Sequence, residues 1–239
     1  MGNLLLIRHG QASFFEENYD RLSPLGELQS RKLAEYWMRY EVQVDRVYTG
    51  PLERQRRTAE VVAETYASAG KPWPEITVLS ELSEYEAERY LKEYIPKLIE
   101  THPPIRELHD NLLAAEEIHS KGRVYQKLFE AAVLAWIRGE VETDGIEKLD
   151  AFDNRVNAGL DEIVTEAEGG ARVAAFTSGG PCGMAVKRAL GCGLEAAIEL
   201  TWMVKNASMT EFLFTCDRFT LSAFNAIPHL EDPAHWTYR

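Results

Sequence analysis

Apolar residues fall into short, uninterrupted runs at several points along the chain. The first run, residues 4–7, ends at Arg8 and His9. A continuous apolar run of this length is typical of a strand that is buried on both faces, as in a parallel sheet. Runs of the same kind predict three further strands, at residues 44–48, 76–79 and 172–177.

Helical periodicity fills the intervals between these runs. Residues 26–40 carry apolar side chains three or four positions apart, which places them on one face of a helix. Ser23 stands just before this segment and predicts its N-cap. A second helix is expected from Pro51, a residue suited to a first helical turn. A third, amphipathic helix is expected over residues 148–167.

The order of these elements predicts the fold class. Strands that alternate with helices indicate βαβ units and a mainly parallel sheet. Residues 209–216 and 219–224 predict an antiparallel hairpin at the sheet edge. Residues 81–145 show no strand pattern, and we interpret them as a helical insertion or lid. The chain is therefore expected to form one α/β domain over residues 1–239, with three α/β/α layers.

Charge and cysteine content narrow the class of protein. Lys and Arg number 26 against 38 Asp and Glu, a formal net charge of −12. This balance disfavours nucleic acid and anionic membranes as partners. The three cysteines have no paired or metal-ligand spacing, which fits reduced thiols. No apolar run reaches the length of a signal-peptide core or a membrane span. We therefore expect a cytoplasmic protein.

The first chemical signal lies where the first strand ends. Ligands of open α/β sheets gather at the C-terminal ends of the strands. Arg8, His9 and Gly10 combine there a cation, a nucleophilic nitrogen and a glycine that permits close approach. Phosphoryl transfer needs such a set. Taken alone, this tripeptide fits a structural histidine beside a solvated arginine better than it fits a catalytic pair.

A second cation follows the second strand. Arg54 falls in the first turn of the helix expected after Pro51, and a helix N-terminus already favours anions. Arg54 therefore predicts a bidentate clamp on phosphate oxygens. The alternative is an exposed arginine on a charge-rich helix, since Arg56 and Arg57 follow directly.

Together, these segments resemble the histidine phosphatase superfamily of phosphoglycerate mutase-like proteins. The resemblance is carried by LLLIRHGQAS, LSPLGELQSRKLAEYW and VYTGPLERQRRTAEVV, and later by AFDNRVNAGLDEIV, VAAFTSGGP and NASMTEFLF. It implies a phosphoglycerate mutase-like fold, with His9 as the nucleophile that becomes phosphorylated. It also implies that Arg8 and Arg54 hold phosphate oxygens. Glu84 is the best match to the family's acidic proton donor, and Glu81 fits the same short pattern.

The chain departs from the family pattern at Ser178. The family's second catalytic histidine stands in a Ser-His-Gly-Gly context, whereas this chain has Thr177-Ser178-Gly179-Gly180. A serine donates a hydrogen bond but carries no charge. Losing one such donor costs on the order of 10²–10³ in rate in other enzymes. The resemblance assigns phosphate contacts to Ser178 and to the Gly179 N–H, and we expect weakened or re-tuned turnover.

Another histidine could supply the missing group. The chain offers five further histidines, His102, His109, His119, His229 and His235. His229 is the first to test because it lies in a compact loop after the last strand. If it fills this role, His229→Ala should lower turnover strongly.

The leading functional hypothesis is a phosphomonoesterase of the histidine acid phosphatase type. It would act on a small phosphorylated substrate through a phosphohistidine at His9, with no cofactor and no metal ion. Phosphoglycerate mutase-type transfer is one alternative, although the chain lacks the longer mutase loop after His9. A non-catalytic protein that binds a phosphorylated ligand through Arg8 and Arg54 is the other. The sequence selects neither the substrate nor the oligomeric state.

Overall fold

The computed structural model of the protein describes residues 1–13, 20–167 and 169–238, except for the side chains of residues 118–120. Its strands are β1 (Gly2–Arg8), β2 (Arg46–Thr49), β3 (Ile76–Val78), β4 (Arg172–Thr177), β5 (Met209–Thr215) and β6 (Arg218–Ala226). Its helices are α1 (Pro24–Arg39), α2 (Glu53–Ser68), α3 (Ala87–Thr101), α4 (Pro103–Ala114), α5 (Ile118–Ile137), α6 (Leu149–Glu166), α7 (Gly179–Leu190) and α8 (Leu194–Thr201). Short 3₁₀ turns lie at Ser80–Leu82 and Pro233–His235.

The six strands form one mixed sheet in the order β3-β2-β4-β1-β5-β6. The four strands β1 to β4 run parallel to one another. Strand β5 is antiparallel to β1, and β6 is antiparallel to β5. The predicted α/β class, the parallel sheet and the antiparallel hairpin at its edge are therefore confirmed.

The chain divides into two compact units. The first comprises Met1–Glu84 and Asp153–Arg239 and contains the whole sheet. The second, Tyr85–Phe152, contains α3, α4 and α5. Pro96 lies inside α3. The interpretation of this region as an insertion or lid stays a prediction. No helix in the part of the chain that the structure describes is long and apolar enough to span a membrane.

Local sequence explains where the two helices beside the site begin. Ser23 caps α1 as predicted, since its Oγ accepts a hydrogen bond from the Gly26 N–H at 3.1 Å. Helix α2 begins later than predicted, at Glu53 rather than at Pro51. The Gln55 side chain accepts a hydrogen bond from the Leu52 N–H at 3.1 Å, so Leu52 becomes the N-cap residue and Pro51 lies outside the helix.

Helices α1 and α2 pack on the sheet through a shared apolar cluster. Its centre includes Trp37 of α1, which is 1% exposed and stacks on Trp73 with ring centroids 5.9 Å apart. Phe176 of β4 meets the edge of the same indole. The packing is close beside the first strand end: a Cβ on Gly10 would lie 2.4 Å from the Gly26 carbonyl oxygen. The loop after β1 therefore rests directly on the start of α1.

Candidate active site

Parallel pairing brings the ends of β1 and β4 side by side. Arg8 pairs with Thr177 in register, and the His9 N–H donates to the Thr177 carbonyl at 2.8 Å. His9 and Ser178 are the next residues of the two strands and therefore lie at the same edge of the sheet. The loop after β2 lies at the same edge, because the Gly50 N–H donates to the Phe176 carbonyl at 2.9 Å.

The contacts of the His9 ring fix one tautomer. His9 is 4% exposed. Its Nδ1 lies 2.7 Å from the Gly10 carbonyl oxygen, which can only accept, so Nδ1 carries the hydrogen. The Arg54 Nε donates to His9 Nε2 at 3.2 Å. Nε2 therefore presents its lone pair to the arginine.

Electrostatics keep this ring neutral. Burial lowers the pKa of His9 well below 6.5, and the positive charges of Arg54 and Arg8 lower it further. The hydrogen bond to Gly10 opposes these effects. A neutral imidazole whose Nε2 carries a lone pair is the form that can attack phosphorus, once Arg54 Nε donates to the phosphoryl oxygens instead of to Nε2.

Asp20 holds Arg54 in place. Its carboxylate accepts from Arg54 Nη1 at 2.7 Å and from the Glu53 N–H at 2.8 Å. It thus binds both the guanidinium and the start of α2, where the helix dipole favours negative charge. Sequence reasoning missed Asp20, because nothing in the local pattern distinguishes it from a surface carboxylate. Arg8, the other arginine near His9, donates from Nη1 to the Val204 carbonyl.

Ser178 is fully buried, and its hydroxyl oxygen accepts a hydrogen bond from Gln55 Nε2 at 2.8 Å. Although it is the N-cap residue of α7, its side chain makes no capping hydrogen bond. Gln55 was also missed from sequence, since a glutamine in a helix is ordinarily a surface residue. Gly179, the next residue in the chain, lies close to Arg8. A Cβ on Gly179 would lie 3.9 Å from Arg8 Cζ.

The two candidate acids occupy different surroundings. Glu84 Oε2 accepts from the Gly180 N–H at 3.1 Å, so its carboxylate lies at the start of α7, next to Ser178. Glu81 Oε2 instead accepts from the adjacent Ser80 Oγ at 3.0 Å. The structure therefore brings Glu84, rather than Glu81, to the strand end that carries Ser178. We call Arg8, His9, Arg54, Glu84 and Ser178 the His9 site.

The other histidines lie in different environments. His229 is buried against Tyr36 of α1, with ring centroids 6.3 Å apart. In the described part of the chain it makes no hydrogen bond to a residue of the His9 site. His102 contacts Glu140 at 3.2 Å, and His109 lies 3.6 Å from Asp110. The His119 side chain lies outside the described residues. The hypothesis that His229 takes the role of the superfamily's second catalytic histidine stays a prediction.

Comparison with known proteins identifies the family of the chain. The model of the histidine phosphatase superfamily (branch 1) matches residues 4–130 and 113–227. The chain belongs to the histidine phosphatase superfamily. No sequence among the curated proteins matches it.

Solved structures share the fold of this superfamily member at low sequence identity. YhfR from Bacillus stearothermophilus is 16% identical with a TM-score of 0.66, over 97% of this chain and 100% of that one. Phosphoglycerate mutase from Bacillus anthracis is 17% identical with a TM-score of 0.62, over 95% and 94%. A mycobacterial glucosyl-3-phosphoglycerate phosphatase, solved with inorganic phosphate, is 19% identical with a TM-score of 0.63, over 95% and 98%. The similarity establishes a phosphoglycerate mutase-like fold.

Proposed function

We propose that this protein is a phosphomonoesterase that acts through a phosphohistidine at His9. The observation that carries the proposal is the fixed, neutral imidazole of His9, with Nδ1 bound to Gly10 and Nε2 facing Arg54. A histidine that serves only packing does not need two arginines beside it. The two arginines keep the imidazole neutral and place positive charge beside it, as binding of a phosphoryl group requires.

The first chemical step follows from this arrangement. Nε2 of His9 attacks the phosphorus atom of a phosphomonoester, and the bond from phosphorus to the ester oxygen breaks. Arg8 and Arg54 neutralise the phosphoryl oxygens while charge develops on them. Because Nδ1 already binds the Gly10 carbonyl, the positive charge of the phosphohistidine is stabilised without movement of the ring.

Glu84 is proposed as the acid and base of the reaction. Its carboxyl group would protonate the departing alkoxide and then remove a proton from the water that attacks the phosphohistidine. The products are an alcohol and inorganic phosphate, and His9 returns to its neutral form. The hydrogen bond from Gly180 holds the carboxylate at the start of α7, beside the strand end that bears His9.

Substrate class is proposed from the neighbours in fold. One structure of an Entamoeba histolytica phosphoserine phosphatase is a complex with 3-phosphoglyceric acid, and the mycobacterial phosphatase is a complex with inorganic phosphate. By analogy, we propose a small phosphorylated metabolite as the substrate.

The decisive experiment is hydrolysis of p-nitrophenyl phosphate together with trapping of the phosphoenzyme. Wild type should release p-nitrophenol and form an acid-labile protein phosphate, and His9→Ala should do neither. Glu84→Gln should lower turnover by about 10²–10³, whereas the matched control Glu81→Gln should stay within about twofold of wild type. Orthophosphate binding without a phosphoenzyme would instead support a non-catalytic binding protein. A phosphoenzyme that passes its phosphate to an added alcohol faster than to water would support a mutase.

A further inference from the structure

The side-chain amide of Gln55 is held in one orientation by two backbone partners. Its Oε1 accepts from the Leu52 N–H at 3.1 Å, and its Nε2 donates to the Leu82 carbonyl at 3.0 Å. An N–H group only donates and a carbonyl oxygen only accepts, so these partners distinguish the amide nitrogen from the oxygen. Gln55 is fully buried. Gly50 makes room for it, since a Cβ there would lie 2.1 Å from Gln55 Oε1.

This orientation determines how the Ser178 hydroxyl is used. The second hydrogen on Gln55 Nε2 points to Ser178 Oγ at 2.8 Å. The serine oxygen is therefore the acceptor of that bond, and its own hydrogen is directed away from Gln55. Within residues 1–13, 20–167 and 169–238 that hydrogen has no acceptor. A fully buried hydroxyl with an unused donor is costly, which points to a partner that arrives with a ligand.

The ligand is identified by what lies beside the hydroxyl. Ser178 follows Thr177, whose carbonyl accepts the His9 N–H at 2.8 Å, and Gly179 lies within van der Waals reach of the Arg8 guanidinium. Oxygens of a phosphoryl group attacked by His9 Nε2 enter this space. They are acceptors only, and they gain negative charge during the transfer.

We propose that Gln55 is a positioning residue that makes Ser178 a hydrogen-bond donor to the transferred phosphoryl group. The pair would fill the place of the second histidine of the superfamily. Gln55 supplies orientation in place of charge: its N–H occupies one of the two lone pairs of the serine oxygen, so the hydroxyl hydrogen is directed away from the amide. This inference rests on the proposed function, because it assigns a role within the same site.

The amide also restricts what residue 178 can be. A histidine side chain is longer than that of serine, and one that follows the direction of Ser178 Oγ would meet the Gln55 amide, which lies 2.8 Å from that oxygen. The fold can therefore hold either Gln55 or a histidine at position 178, but not both in one site. Ser178→His alone should lower both turnover and the unfolding temperature, and the added change Gln55→Ala should raise turnover of Ser178→His at least tenfold.

The test is a double-mutant cycle on p-nitrophenyl phosphate hydrolysis. Ser178→Ala should lower kcat by about 10²-fold, with KM little changed, since the arginines remain. Gln55→Met should lower kcat roughly tenfold. In the Ser178→Ala background, Gln55→Met should cost no more than about twofold. Gln43→Met, on an exposed loop, is the matched control and should match wild type.

Stability separates positioning from a structural role. Gln55→Met removes two backbone contacts, so it should lower the unfolding temperature in both backgrounds, whereas its effect on kcat should need Ser178. An equal loss of kcat with and without Ser178 would overturn the inference. So would a gain of turnover in Ser178→His alone that Gln55→Ala does not increase.

Failure of the proposed function gives a different result. If wild type shows no His9-dependent hydrolysis, the double-mutant cycle is repeated with orthovanadate affinity as the measured quantity. Bound vanadate adopts the five-coordinate geometry of the phosphoryl-transfer transition state. Gln55→Met should then weaken vanadate binding only where Ser178 is present. Equal weakening in both backgrounds would reject the positioning role independently of catalysis.

Discussion

Acid should destabilise this protein through His229, a buried histidine that follows β6. Burial is the main cause that lowers the pKa of His229 from 6.5 to about 4, and the ammonium group of Lys32 adds to it. The backbone of Ala207 opposes this shift in part. Unfolding exposes the ring to water and restores its ordinary value. Between these two pH values the unfolded chain therefore binds a proton that the native protein does not.

The sign and size of the effect follow from proton linkage. Above pH 6.5 the ring is neutral in both states, so its contribution to the free energy of unfolding is constant. As the pH falls from 6.5 to about 4, the unfolded state gains a proton and the free energy of unfolding decreases. One proton is worth about 1.4 kcal/mol per pH unit, so His229 accounts for a loss of roughly 3 kcal/mol across the window.

The assay is urea unfolding followed by tryptophan fluorescence, between about pH 4.5 and 7.5. His229→Leu keeps most of the buried volume and removes the titration. Below pH 6.5 the free energy of unfolding of this variant should fall less steeply with decreasing pH than that of wild type, by about 1.4 kcal/mol per pH unit. Lys32→Met removes only the smaller cause, so it should keep most of that slope. His9, whose pKa is also lowered, contributes equally to all three proteins and cancels in the comparison.

A wild-type slope in His229→Leu would refute this reasoning, because it would mean that the native protein accepts the proton without cost. The same variant also tests the alternative role of His229. A strong loss of turnover at pH 7 would support His229 as the substitute for the second histidine. Turnover close to wild type would leave His229 with a structural role only.

Four further predictions concern separate parts of the first unit and of α5. Burial raises the pKa of the Cys182 thiol to about 12, so a maleimide at pH 8 should label the other two cysteines of the native protein and not this one; uniform labelling would contradict its burial. Asp20→Asn removes the 2.7 Å ion pair of Arg54 and should raise KM for p-nitrophenyl phosphate roughly tenfold, whereas unchanged kinetics would show that Arg54 holds its position without help. Gly10→Ala places a Cβ 2.4 Å from a backbone oxygen and should lower the free energy of unfolding by about 1–3 kcal/mol. Gly122→Ala, in open space within α5, should instead raise it by roughly 0.5–1 kcal/mol, and urea unfolding measures both.

Local pattern was sufficient to predict most of the first unit's framework. The run at residues 4–7 is continuous and apolar because β1 is covered on both faces, and β4 (Arg172–Thr177) begins and ends where predicted. Ser23 identified the start of α1 because capping depends on one side chain and the next turn. The start of α2 was misplaced because its cap depends on Gln55, a residue within the helix.

The sequence by itself determined the fold class, the family and the positions of His9, Arg8 and Arg54. Each depends on residues close together in the chain, or on motifs whose order and spacing are preserved. Only the tertiary structure decided which other side chains contact and position the residues of the site. The carboxylate of Asp20 reaches Arg54 across 34 positions, and the Gln55 amide reaches Ser178 across 123. Contacts at such separations leave no periodic trace in the sequence, because they arise only when the parallel strands bring distant strand ends to one edge of the sheet.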